Sequence, residues 1–171
     1  AQRSETTVEQ EYLSTVEDVI VKELAAADDR DSKLVSLQYL EAALDSGRAS
    51  PDMVYALEML AGEGSFTQAR TNGRLANNFP DIRAKACDLL AKAKTEESKQ
   101  ILLKVTLADN EPMVATAAIR ALGEIGLNDQ NDVLEAVSWV EKKYAILNPT
   151  SSLALEVLTA YEKLARSEEH T

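Results

Sequence analysis

The sequence has few of the residues from which metal sites, disulfides and membrane spans are built. The 171-residue chain has one cysteine, Cys87, and one histidine, His170. A single cysteine excludes an intrachain disulfide and a cysteine-based zinc cluster. No apolar run comes near the roughly 18 residues that a transmembrane helix needs. We therefore expect no membrane span, no metal site and no cofactor.

Helix-breaking and aromatic residues are also scarce. The chain has six glycines, four prolines and only one tryptophan, five tyrosines and two phenylalanines. Alanine and leucine are abundant, and both lose little free energy on entering a helix. Hydrophobic residues make up 45% and charged residues 27%, which is typical of a folded globular domain. The composition therefore favours an all-α domain.

Basic residues are outnumbered by acidic ones. Eighteen lysines and arginines face 29 aspartates and glutamates, which gives a formal net charge of −11 and a pI near 4.6. Such a chain repels nucleic-acid backbones and anionic lipids. We therefore expect no general binding of nucleic acid or of membrane surfaces.

The first residues, AQRSETT, bear on the compartment. A mature exported protein often starts in this way after its signal peptide has been removed. This favours an exported or periplasmic location over a cytoplasmic one. The alternative is a segment cut from a longer chain.

Hydrophobic periodicity predicts eight helices and no strand or hairpin. Ser50 followed by Pro51 is a favourable helix start, and Asp31 or Ser32 is expected to cap the second helix. The stretch after the third helix, GEGSFTQARTNGRLANNF, lacks an apolar stripe and predicts an irregular or weakly helical connection. The expected helices cover about 7–27, 31–44, 51–60, 80–93, 96–108, 111–125, 129–146 and 150–166.

The first helix is expected to be an N-terminal cap with one buried face and one wet face. The residues expected on the buried face are Val8, Tyr12, Val16, Val19, Ile20 and Leu24. The residues expected on the wet face are Glu9, Glu11, Glu17, Asp18 and Glu23.

One passage of the sequence occurs twice. PDIRAKACDLLAKAK begins at Pro80, and PMVATAAIRALGEIG begins 32 residues later at Pro112. The shift maps Ala86 onto Ala118 and Leu90 onto Leu122, and it continues into the following helix, where Val105 maps onto Val137. Small and apolar residues thus return on the same helical faces over two consecutive helices. This indicates a helix-pair repeat, in which each unit buries its apolar face only by stacking on its neighbours.

The stretch LADNEPMVATAAIRALGEIG resembles a HEAT repeat of the bacterial phycobilisome-lyase-like type. The positions that match this pattern are Asp109, Pro112, Val114, Ala118, Leu122, Gly123, Ile125 and Gly126 in one copy and Pro80, Ile82, Arg83, Ala86, Leu90 and Ala93 in the other. Ala115 stands where the pattern usually has arginine, and the first copy lacks the closing glycine pair. The resemblance covers about residues 78–140.

The resemblance implies a right-handed α-solenoid of antiparallel helix pairs, of the HEAT or armadillo type. The whole chain, 1–171, would be one repeat domain, with a capping helix in 1–30, the best-matching repeats in 78–146 and a terminal helix in 150–166. Either that last helix caps the stack or the native chain continues, and the second reading is favoured. HEAT repeats serve mostly as binding scaffolds, so the resemblance implies a non-catalytic protein with a protein partner.

A basic region interrupts the acidic chain and is the candidate binding site. Residues 66–94 hold six basic residues against two aspartates, a local net charge of +4. Arginine is over-represented at binding hot spots, and asparagine side chains suit the gripping of a peptide or a carboxylate. The alternative is a polar loop that balances neighbouring acidic helices. The candidate partner-binding residues are Arg70, Asn72, Arg74, Asn77, Asn78, Phe79 and Arg83.

Two further functions stay open. A lyase or other thiol-dependent enzyme would need a reactive Cys87, but this residue aligns with Ile119, which favours a packed position. His170 lies one residue from the end, where a catalytic histidine lacks a fixed partner. The protein is otherwise expected to be monomeric, and self-association is the alternative. The terminal helix carries apolar residues such as Leu158 and Tyr161 and has no following helix, so a second copy would pair there.

Overall fold

Eight helices and one two-stranded hairpin make up the computed structural model, which describes residues 7–128, 131–146 and 151–168. The helices are α1 (Val8–Ala26), α2 (Arg30–Asp45), α3 (Pro51–Gly62), α4 (Pro80–Ala93), α5 (Glu96–Ala108), α6 (Pro112–Ile125), α7 (Asp132–Ile146) and α8 (Ser151–Glu168). The strands are β1 (Arg70–Thr71) and β2 (Arg74–Leu75), which pair antiparallel between α3 and α4. None of the described helices is long and apolar enough to cross a bilayer.

The helices pack in two parallel rows. In one row α1 contacts α3, α3 contacts α5, and α5 contacts α7. In the other row α2 contacts α4, α4 contacts α6, and α6 contacts α8. Successive helices also contact each other across the rows, for example α1 with α2 and α5 with α6. This is the arrangement of an α-solenoid, and it confirms the all-α repeat fold expected from the sequence.

Local sequence signals set the helix ends. The Ser50 hydroxyl accepts a hydrogen bond from the Met53 amide at 3.1 Å, and Pro51 opens α3, as expected. At α2 the expected cap was wrong, because the helix begins at Arg30 and the carboxylate of Asp29 accepts from the Ser32 amide at 2.8 Å. Aspartate is as good a cap as serine, so the cap at Asp29 starts the helix before the expected residue.

The repeated positions share one core. Positions related by the 32-residue shift lie in adjacent helices of the same row, α4 beside α6 and α5 beside α7. The equivalent pairs are all fully or almost fully buried: Ile82 and Val114, Ala86 and Ala118, Cys87 and Ile119, Leu90 and Leu122, Val105 and Val137. The second copy therefore continues the interior of the first.

Ion pairs cross the outer surface of the row that contains α4 and α6. Arg120 on α6 lies 2.7 Å from Asp88 on α4 and 3.4 Å from Glu156 on α8. Lys85 and Lys92 on α4 both bind the carboxylate of Glu41 on α2. The acidic residues of these helices are therefore largely compensated within the stack.

The prediction for α1 was wrong about which face is buried. Val21 and Ala25 face the core, whereas Tyr12 is 67% exposed and Val19 is 52% exposed. Ser36 on α2 donates a hydrogen bond to the Val21 carbonyl at 3.1 Å, which fixes the inward side of α1. The reason is that α1 packs on α2 and α3, and these two helices approach the side of α1 that carries Val21 and Ala25. The larger apolar residues face solvent.

Candidate protein-binding site

The expected irregular connection between α3 and α4 contains a β-hairpin, so the prediction of an irregular or weakly helical segment without strands was wrong. Arg70 pairs with Leu75, and Thr71 pairs with Arg74. Asn72 and Gly73 have φ values of 51° and 77°, which are the left-handed values of a two-residue type I′ turn. An Asn-Gly pair is the strongest short hairpin signal, and it stands in the sequence at TNGR. We call residues 70–75 the arginine hairpin.

The side chain of Asn77 holds the base of the arginine hairpin. Its carbonyl oxygen accepts from the Ala69 amide at 2.9 Å, and its amide nitrogen donates to the Thr67 carbonyl at 2.7 Å. The Ala76 amide donates to the Ala69 carbonyl at 2.8 Å, and the Asn77 side chain extends the ladder beyond this bond. Asn77 is almost fully buried. Asn77 was expected to grip a partner, but its hydrogen-bonding capacity is used within the chain.

Arg83 anchors the same loop from the first turn of α4. Its Nη1 donates to the Glu63 carbonyl at 3.2 Å and to Asn78 Oδ1 at 2.9 Å, while its Nε donates to Asp109 Oδ2 at 2.7 Å. Arg83 and Asp109 are both at least 97% buried at the side chain. Asp109 Oδ1 also accepts from the Glu111 amide at 2.9 Å, at the start of α6. One guanidinium therefore ties the end of α3, the hairpin loop and α6 together.

Gly64 allows the loop to close against this arginine. Its φ is +83°, and a Cβ atom at this position would lie 2.4 Å from the Asn77 carbonyl oxygen and 3.1 Å from Arg83 Nη1. The Gly64 amide donates to the Thr67 carbonyl at 3.0 Å. A larger residue would push the hairpin base away from α4.

Two further contacts fix the loop to the stack. Lys33 on α2 is buried, and its Nζ lies 2.5 Å from the carboxylate of Glu63 and 3.0 Å from the Ala25 carbonyl. The ring of Phe66 packs against the core, with Lys104 Nζ on α5 4.6 Å from its centroid. The loop is therefore attached on both sides, and the hairpin lies on its exposed part.

The seven candidate binding residues fall into two groups. Arg70, Asn72 and Arg74 lie exposed on the arginine hairpin. The other four lie at its base, where Asn77 and Arg83 are buried, Phe79 is half-buried against the core and Asn78 is exposed but bonded to Arg83. Sequence reasoning did not identify Asp109, Glu63 and Lys33 as supports of this loop, because their contacts span 8 to 30 residues along the chain.

The two arginines of the hairpin differ from the other arginines that the structure describes. The other five, which are Arg30, Arg48, Arg83, Arg120 and Arg166, each form an ion pair with a carboxylate. Arg70 instead donates to the Gly73 carbonyl at 3.2 Å and to Gln68 Oε1 at 3.4 Å. Arg74 lies exposed, and the described residues offer it no carboxylate. The hairpin is thus a basic projection on an acidic protein.

The chemistry considered for Cys87 does not fit its surroundings. The residue is fully buried on α4. Burial raises the pKa of the thiol far above its ordinary value, and the nearby charges of Asp88 and Asp109 raise the pKa further. Because the thiolate is the nucleophile, this cysteine is a packing residue in the folded chain. His170 lies outside the described residues.

No group of histidine, cysteine or acidic side chains with metal-binding geometry occurs in the part of the chain that the structure describes. At the other end of the stack, Leu158 on α8 is 67% exposed, while Tyr161 is half-buried and its hydroxyl lies 3.4 Å from Glu141. This is the helix considered for self-association.

Comparison with known proteins gives one result that bears on the family. A family model of HEAT repeats matches residues 67–146, which include the arginine hairpin and helices α4 to α7. No curated protein and no solved structure matches the chain. The matched residues contain the two helix pairs that repeat at 32 residues, and these pairs stack in the structure as repeats do. Residues 67–146 of this chain therefore form HEAT repeats.

Proposed function

We propose that this protein is a non-catalytic scaffold that binds another protein, and that the arginine hairpin is the element that contacts the partner. HEAT repeats commonly mediate protein interactions, which supports the general function. The observation that carries the specific site is that Arg70 and Arg74 are exposed on a projecting hairpin and have no carboxylate partner among the described residues, in a chain with 29 acidic residues.

The geometry of the hairpin favours this use. Arg74 directly follows the Asn72–Gly73 turn and Arg70 lies two residues before it, so both belong to one short, hydrogen-bonded ribbon. A guanidinium binds a carboxylate through two parallel N–H donors, and a fixed backbone lowers the entropy lost on binding. The partner surface that fits this element is an acidic one. Asn77 and Arg83 contribute by keeping the ribbon in place.

A charge-reversal experiment tests the site. The variant carries Arg70→Glu and Arg74→Glu, and its matched control carries Arg48→Glu and Arg166→Glu, which reverse the same number of charges on exposed arginines elsewhere. Proteins captured from native extract are compared for the two variants and the wild type, with circular dichroism to establish that the helices are retained. We expect the hairpin variant to lose a partner that the control keeps. A partner set that is the same for both variants would contradict the assignment of the hairpin.

Self-association through α8 is the second candidate function. Leu155 and Leu158 lie exposed on α8, which packs only on α6 and α7. Light scattering would then give a mass that rises with concentration, and Leu158→Lys together with Tyr161→Lys would abolish the rise. A constant monomer mass for the wild type would rule this function out.

A further inference from the structure

The outer face of α1 is a continuous stripe of large apolar residues. The stripe residues are Val8, Tyr12, Leu13, Val16, Val19 and Ile20, and each of them is exposed by more than a third. At about 100° per residue, they cover an arc of about 140° on the side of the helix opposite Val21 and Ala25. We call these six residues the α1 stripe.

A helix with apolar residues on both faces is normally covered by other parts of the structure, or by a partner, on both faces. Among the residues that the structure describes, α2 and α3 cover α1 only on the side with Val21 and Ala25. Contiguous exposed apolar patches mark interaction sites. The α1 stripe is therefore a surface that a partner covers.

The charged residues near the α1 stripe indicate which kind of partner can bind it. Glu9 and Glu23 are exposed and fall within the same arc, and neither forms an ion pair among the described residues. The one lysine of α1, Lys22, is already 3.4 Å from Asp52 on α3. The stripe thus has unpaired negative charge near both of its ends.

A second copy of this chain is a poor match for such a surface. Two stripes packed antiparallel would bring Glu9 of one copy to within about one helical turn of Glu23 of the other, and two stripes packed parallel would bring each glutamate onto its own counterpart. Either arrangement places like charges together in a newly buried interface, where repulsion is strongest. The formal net charge of −11 on each chain adds to this repulsion.

We propose that the α1 stripe binds an amphipathic helix of a partner protein, with an apolar face flanked by lysine or arginine. The stripe extends from Val8 to Ile20, about 18 Å along the axis, so the partner helix needs at least about three turns to cover it. Its leucine-like residues would pack between Tyr12 and Val16, and its basic residues would pair with Glu9 and Glu23. This is the helix-in-groove mode of recognition, with two helices side by side.

This surface is separate from the arginine hairpin. The hairpin base contacts α2 and the carboxyl end of α1 through Lys33, while Tyr12 lies 13 residues, about 20 Å, before Ala25. The partner of the hairpin is acidic and the partner of the stripe is basic. Each proposal can therefore fail without the other.

The test uses synthetic peptide probes and the full chain. The probe is a 14-residue amphipathic Leu/Lys peptide labelled with a fluorophore, and its controls are a Leu/Glu peptide of the same pattern and a Leu/Lys peptide of scrambled order. Binding is measured by fluorescence anisotropy at 0.15 M salt, which weakens unspecific attraction to an acidic protein. We expect the ordered Leu/Lys peptide to bind at least about tenfold more tightly than either control peptide, because only this peptide has both the apolar face and the complementary charge.

The variants locate the binding surface. Tyr12→Ser with Val16→Ser removes the centre of the stripe without adding charge, and Val35→Ser with Tyr39→Ser is the matched control, a half-exposed pair with the same spacing on α2. We expect the α1 variant to weaken peptide binding at least about tenfold and the α2 variant to leave it unchanged. Equal binding by the ordered and scrambled peptides, or by the α1 variant and the wild type, would overturn the proposal. So would a dimer of the wild type that the α1 variant abolishes, since a second copy would then occupy the stripe.

Discussion

Arg83 and Asp109 form a buried ion pair between α4 and the start of α6, with Arg83 Nε 2.7 Å from Asp109 Oδ2. Two buried charges lose their hydration, and their attraction compensates only if the remaining hydrogen-bonding groups are also satisfied. Here the Glu63 carbonyl, Asn78 Oδ1 and the Glu111 amide satisfy them. The pair therefore holds two adjacent repeats and the hairpin loop in one register.

Removing one partner of this pair should destabilise the protein strongly. Asp109→Asn leaves the buried Arg83 guanidinium without a countercharge, and such changes cost about 3–5 kcal/mol of unfolding free energy. The measurement is urea denaturation followed by circular dichroism. Arg120→Met is the control, because it removes the half-exposed pair with Asp88 and should cost about 1 kcal/mol or less. The same cost for both variants would contradict a supporting role for Arg83.

Gly64→Ala should destabilise the protein more than Gly47→Ala. Both glycines have positive φ, +83° and +70°, so both substitutions introduce similar backbone strain of about 1 kcal/mol. A methyl group at residue 64 would lie 2.4 Å from the Asn77 carbonyl oxygen, which is too close. A methyl group at residue 47 would have no other atom within 4 Å. Urea midpoints of the two variants give the difference. Equal midpoints would show that the loop does not close on α4 as described.

Helix positions could be predicted from the sequence because they depend on local signals. Pro80 and Pro112 are the first residues of α4 and α6. The sequence repeat at 32 residues indicated that the unit beginning with α4 stacks on the unit beginning with α6. The hairpin could also have been predicted, since Asn72–Gly73 is a recognised turn signal. Its two-residue strands are too short to show the alternation on which strand prediction depends.

The burial of Arg83 and the exposed face of α1 could not be predicted in this way. The sequence around Arg83 does not differ from that of an exposed helical arginine. Its partner Asp109 lies 26 residues later in the chain, so the pair forms only in the folded structure. For α1, the apolar pattern shows that a face is hydrophobic, but only the neighbours decide whether this chain covers it. The side of α1 with Val21 and Ala25 packs on the neighbouring helices. Tyr12 and Val16 lie on the other side and are therefore exposed to solvent.

Cys87 should react slowly with thiol reagents in the folded protein. Burial raises the pKa of its thiol, so both access and thiolate formation require opening of α4. We expect the reaction with Ellman's reagent to be on the order of 100-fold slower in buffer than in 8 M urea. Similar rates in both solvents would show an accessible thiol and would restore a thiol-dependent enzyme as a candidate.

Part of the stability should depend on the ionisation of Glu41. Hydrogen bonds from Lys85, and then from Lys92, hold the pKa of Glu41 below its ordinary value. A carboxyl whose folded-state pKa is depressed stabilises the fold above its unfolded pKa, about 4.3, and loses this contribution as the pH falls through the folded pKa. The contribution is at most about 1 kcal/mol, because the pairs are partly exposed.

The measurement is the difference in urea midpoint between wild type and Glu41→Gln from pH 7 to pH 3. We expect the wild type to be more stable at pH 7 and the difference to shrink below about pH 4. Lys85→Met with Lys92→Met removes the donors and should abolish this pH-dependent part. A difference that grows as the pH falls has the wrong sign for this account.

Hydrogen exchange along the native chain, read by mass spectrometry, tests most directly whether a shared helical interior displays the arginine hairpin. Helices α4 and α6 each bury eight residues and pack on each other, so their amides should open together and exchange most slowly. The amides of residues 70–75 should exchange much faster, because the hairpin is exposed and attached only at its base. Exchange of the hairpin as slow as that of α4, or independent opening of α4 and α6, would contradict the account.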